Sequence, residues 1–145
     1  MEETTYVEQY KQATMYLKVL AQDVQMLHHN VVGPNFIANH EALADIYNDV
    51  AEILDGIIEM GMTIGIFEPS IEESLQFKAS LPVRFYSGEE AFKIVSEEFS
   101  DAINLLYEAS SLVPNDIRSK IEEYQGKLRI WGLYKAQMLT ATANQ

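Results

Sequence analysis

The chain contains no cysteine, which excludes disulfides, thiolate metal sites and cysteine nucleophiles together. Basic residues are scarce: 10 Lys and Arg stand against 22 Asp and Glu among 145 residues, a formal net charge of −12. Binding to a phosphate backbone depends on cations that displace counterions. The ten here (Lys11, Lys18, Lys78, Arg84, Lys93, Arg118, Lys120, Lys127, Arg129 and Lys135) are dispersed and form no basic tail, which argues against DNA binding. An acidic surface suits the collection of cations instead. No apolar run approaches the ~20 residues of a membrane span. The opening Met1-Glu2-Glu3-Thr4-Thr5 has neither the basic start nor the apolar stretch of a signal peptide. Phosphate-binding glycine loops, G-x-S-x-G and H-E-x-x-H are all missing. With 48% hydrophobic and 22% charged residues, the composition argues against disorder. One cytoplasmic domain spanning 1–145 is expected.

Glycine and proline are also few, 7 and 4, and their positions divide the chain. The first break is Val31-Val32-Gly33-Pro34-Asn35, where Gly-Pro ends a helix and Asn is suited to cap the next. The second runs from Gly61 to Pro82, and the third is Val113-Pro114-Asn115-Asp116. Each of the four intervening segments carries a helical stripe. The first has Val7, Tyr10, Thr14, Leu17, Ala21, Val24 and Leu27; the second has Phe36, Leu43, Tyr47, Val50, Leu54 and Ile57. The third has Phe92, Val95, Phe99, Ala102, Leu106 and Ala109; the fourth has Ile117, Ile121, Tyr124, Leu128, Trp131 and Tyr134. Ser87-Gly88-Glu89-Glu90 predicts a capping box at the start of the third helix. Short turns make helices one and two antiparallel, and helices three and four likewise. The middle connection is long for a loop in a compact domain, and Ile71 to Ala79 holds enough good formers for a short helix. Two hairpins joined by one crossover define an all-α, ferritin-like four-helix bundle with a short helix in the crossover.

The candidate chemistry lies in the first hairpin. His28 and His40 flank the Gly33-Pro34 turn and fall at similar heights. Further along helix two, Asp55 and Glu59 are one turn apart and share a face, among Ile53, Leu54, Ile57, Ile58 and Met60. Carboxylates in such company call for a cation or a donor. Two imidazoles with two carboxylates suit iron, and fit manganese or zinc nearly as well. His40 and Asp55 are 15 residues apart, about 22 Å along a helix, so one chain cannot place them on the same ion. A second chain related by a two-fold axis can, because its helix two runs antiparallel. The structural alternative treats the histidines as turn residues and the acidic pair as solvated surface. Gly56, in mid-helix, hints at close approach of another helix.

These residues resemble a known family. His28-His29-Asn30-Val31-Val32-Gly33-Pro34-Asn35-Phe36, then His40-Glu41, Asp55-x-x-x-Glu59, Gly65 and Ile130-Trp131-Gly132-Leu133-Tyr134-Lys135-Ala136 are similar to the corresponding stretches of Dps, the DNA-binding protein from starved cells. The resemblance covers nearly the whole chain. It implies a twelve-subunit shell that oxidises ferrous iron, with hydrogen peroxide as usual oxidant, and stores it as ferric mineral, protecting against oxidative damage. It implies a ferroxidase-type metal site at a two-fold interface, with His28 and His40 from one subunit and Asp55 and Glu59 from the other. The chain departs from the family at Ala44, where an Asp is common four residues after the second His, and at His29, where a Trp is usual. His29 reads as a spare ligand, a proton acceptor or surface. The rival readings are a shell with a weakened metal site and a helical structural protein without metal chemistry.

Overall fold

A computed structural model describes residues 2–143, with side chains from residue 6 onward. Met1, the side chains of residues 2–5 and residues 144–145 lie outside it, and with them the chemistry of the opening segment. Four long helical stretches form two hairpins. In the first, α1 (Glu2–Asn30) packs on α2 (Phe36–Thr63). The pairing is antiparallel: Tyr10, near the start of α1, donates its hydroxyl to the Ile57 carbonyl at 2.5 Å, while His28 near its end meets His40. Between them lies β1 (Val31–Val32), followed by Gly33 at φ +129°, a left-handed conformation that suits glycine. Asn35 occupies the N-cap position of α2 but makes no side-chain cap bond.

The second hairpin pairs α4 (Gly88–Ser110) with α5 (Asn115–Ile130), a π-helical turn (Trp131–Lys135) and α6 (Ala136–Thr142). The capping box at its start is present, with Ser87 and Glu90 each bonding the other's backbone N–H. The crossover carries α3 (Ile71–Phe77), N-capped by Ser70, and ends in β2 (Tyr86–Ser87), which pairs in parallel with β1. This all-α architecture is the expected one, with the short helix in its expected place. Among the described residues, no helix is long and apolar enough to cross a membrane.

The stripes of α1 and α4 are buried as read, except that Val7 is half-buried. On α2 the buried face is Leu43, Ile46, Val50, Ile53 and Ile57, turned from the expected stripe. Tyr47 and Leu54 are half-buried at its flank, and Phe36 is exposed. On the last helical stretch the stripe holds through Leu128, but Trp131 is half-buried and Tyr134 exposed. The π turn is the reason: its wider winding rotates the inward face, so that Gly132 and Ala136 point into the core. Gly56 does mark a close approach, since a Cβ there would overlap the Tyr124 hydroxyl.

Candidate metal centre

The hairpin geometry brings His28, in the last turn of α1, against His40, in the second turn of α2. Their rings stack with centroids 4.0 Å apart and planes 17° from parallel. Each ring is locked by the other residue's backbone. His28 Nδ1 lies 2.8 Å from the His40 carbonyl oxygen, and His40 Nδ1 lies 2.7 Å from the His28 carbonyl oxygen. A carbonyl only accepts, so Nδ1 is the donor in both rings. In the neutral imidazole, Nε2 then carries the lone pair on each. This is the arrangement that prepares a histidine to ligate a metal, with the second nitrogen fixing ring orientation and tautomer. Phe36, one turn before His40, stacks on it at 5.1 Å. His29 is exposed and lies 5.0 Å from the His28 ring at a 49° tilt.

Asp55 and Glu59 lie on the outer surface of α2, both exposed. Of their apolar neighbours in sequence, Ile53 and Ile57 turn inward, whereas Leu54, Ile58 and Met60 are half-buried and leave the two carboxylates exposed. The two carboxyls are close together: hydrogen bonding to Asp55, then its charge, raises the Glu59 carboxyl above its ordinary value. Two carboxylates held together in this way gain from a cation placed between them. Asp55 also borders a groove of ≈ 290 Å³ between α1 and α2, along with Gln22, Gln25, Tyr47, Leu54 and Ile58.

The structure therefore brings His28 to His40 and Asp55 to Glu59, but leaves the two pairs at separate positions on α2. Among the described residues, no three His, Asp or Glu side chains of this one chain converge on a metal position. Two contacts escaped the sequence. The reciprocal histidine-to-backbone bonds have no side-chain signature, because the acceptors are main-chain carbonyls. Trp131 donates to Asp49 at 2.6 Å across 82 residues, a separation that no periodic pattern spans.

No protein-family model and no curated protein sequence matches the chain. Solved structures do. Antigen TpF1 from Treponema pallidum aligns over 99% of this chain and 94% of its own, with TM-score 0.85 and 23% identity. Dps from Bacillus brevis aligns over 97% and 96%, with TM-score 0.81 and 20% identity. Dps from Staphylococcus aureus aligns over 97% and 95%, with TM-score 0.76 and 19% identity. The fold is thus a ferritin-like helical bundle. Within that class it is the fold of the Dps structures with which it aligns.

Proposed function

We propose that this chain is a Dps-family protein, one domain over 1–145, that assembles into a closed shell, binds ferrous iron and oxidises it for storage as ferric mineral, with hydrogen peroxide as oxidant. The reciprocal Nδ1 bonding of His28 and His40 carries the reading. A stacked histidine pair with no ligand to serve does not need both Nε2 atoms released, whereas a metal site does. In this reading the two imidazoles of one subunit face Asp55 and Glu59 of its two-fold mate. The histidines orient the incoming ion. The carboxylates supply the negative charge that a hard cation prefers and balance the gain of charge when iron is oxidised. The overall charge of −12 draws cations to the particle. The same charge leaves few phosphate contacts, so the protein acts on iron without holding duplex DNA.

The test is to mix metal-free protein with ferrous iron and follow ferric absorbance, with and without peroxide, alongside sedimentation of the particle. A shell-sized particle that oxidises iron faster than buffer, and faster still with peroxide, is the expected result. A species near the 16.5 kDa chain mass overturns the reading, as does a shell that leaves the buffer rate unchanged.

A further inference from the structure

Away from the histidines, one cluster of charged side chains is enclosed where the crossover meets α1 and α4. Lys78, the residue that ends α3, reaches inward and is only 10% exposed. It donates to Asp23 Oδ2 on α1 at 3.1 Å and to Glu98 Oε2 on α4 at 2.9 Å. Asp23 is 3% exposed at its side chain, and its Oδ1 accepts the Leu81 backbone N–H at 3.0 Å. Glu98 is 13% exposed, and its Oε1 is buried without a hydrogen-bond partner among the described residues. Tyr16 of α1 completes the enclosure: its ring lies 5.0 Å from the Lys78 ammonium and its hydroxyl donates to Asp101 Oδ2 of α4. Burial, with Glu98 and Asp101 nearby, pushes the Tyr16 phenol up, so it stays a neutral donor.

The balance of charge is uneven. With both acids ionised, two buried carboxylates share one ammonium, and a carboxylate oxygen sits unpaired in the interior, a costly arrangement. With one proton on Glu98 the cluster is neutral, and the Glu98 carboxyl lies within hydrogen-bonding reach of Asp23. The crossover is tied before α3, where Lys18 of α1 pairs with Glu68 and donates to the Pro69 carbonyl oxygen, and after it, where Tyr86 is buried; the cluster fastens the C-terminal end of α3 between these anchors. On α3 only Ser74 is buried, while Ile71, Leu75 and Phe77 are exposed.

We infer that Asp23, Lys78 and Glu98 form a proton-operated latch that fastens the crossover to α1 and α4 when Glu98 is protonated and loosens it when Glu98 is ionised. Burial pushes the Glu98 carboxyl up, the Lys78 ammonium works against that rise, Asp23 adds to it, and the group settles at about 7. The closed form thus binds a proton that the opened form, with a solvated carboxyl, releases to water. Raising the pH from the ordinary carboxylate range to about 7 favours opening, by up to about tenfold per pH unit. Above about 7 both forms are ionised and the dependence levels off.

The test is hydrogen exchange of the crossover amides between about pH 5 and pH 8, corrected for the intrinsic rate, in the wild type and in Glu98→Gln. The wild type is expected to open more as the pH rises to about 7 and then level off. Glu98→Gln keeps the shape, cannot ionise, and is expected to stay at the acid-side level throughout. The difference between the two assigns the pH dependence to Glu98 and to no other group. A flat wild-type profile, or the same rise in both proteins, overturns the latch. Infrared titration of carboxyl bands in Glu59→Gln, which lacks the other raised carboxyl, decides the matter even where the Glu98 variant fails to fold. One protonated carboxyl surviving to about pH 7 supports the latch, and none surviving above about pH 6 overturns it.

Discussion

Two polar clusters in this protein follow opposite rules. At the hairpin turn, His28 and His40 use one ring nitrogen each on backbone carbonyls and leave the other free. Beneath the crossover, Asp23, Lys78 and Glu98 bond to one another and to the backbone of Ala79 and Leu81, with one Glu98 oxygen left without a partner among the described residues. The first arrangement is half-satisfied on its outer side, where a ligand or a second chain has access. The second is closed, and what it lacks is a proton. Polar groups that are locked from behind and open in front serve binding, whereas enclosed ones tie elements together and respond to pH.

The comparison breaks most sharply at Lys78. Replacing it by Met leaves two carboxylates enclosed without their cation, and a loss of about 3–5 kcal/mol in unfolding free energy is expected at pH 8. The loss should shrink near pH 5, where Glu98 takes up a proton. Chemical denaturation at the two pH values checks both the size and the direction. Iron oxidation per folded shell should not change, because no metal donor has been touched.

Glu59→Gln is the converse experiment. It removes a charged donor from an exposed face, so the initial rate of ferrous oxidation should fall by about tenfold or more. The thermal midpoint should hold or rise slightly, since the like-charge contact with Asp55 is relieved. Stopped-flow absorbance and calorimetry on the same preparation separate the two effects. A smaller effect is expected at His29, which is exposed and bonded to no backbone carbonyl among the described residues. His29→Ala should change the oxidation rate by less than about twofold, since its ring has no backbone bond of the kind that fixes His28 and His40. A larger loss would make His29 a ligand and enlarge the site.

Much of this was legible in the residues, and what was not has physical reasons. The stripes on α1 and α4 gave the buried faces, and the positions of Gly and Pro gave both hairpins and the crossover. The expected face of α2 was rotated because Tyr47 and Leu54 were counted as core, whereas Ile46 and Ile53 fill it. Ile46 stands beside Tyr47 and Ile53 beside Leu54, so two apolar stripes of the same period fit this helix. The π turn at Trp131–Lys135 was invisible because it adds a residue to a helix without changing its composition. The pairing of His28 with His40 followed from turn length alone, but the bonds that lock them run to main-chain atoms. The latch joins positions 23, 78 and 98, each of which reads in sequence as an ordinary surface charge.

The central claim is that the metal site is assembled from two chains, and co-assembly tests it directly. One variant carries His28→Ala and His40→Ala; the other carries Asp55→Asn and Glu59→Gln. Each alone should form shells that oxidise iron at the background rate. When the two are mixed, unfolded and reassembled together, half the two-fold pairs join unlike chains, and each such pair rebuilds one complete site of two. The account predicts recovery of about a quarter of wild-type activity per chain. Mixed shells that contain both variants and still oxidise iron no faster than either parent would contradict it.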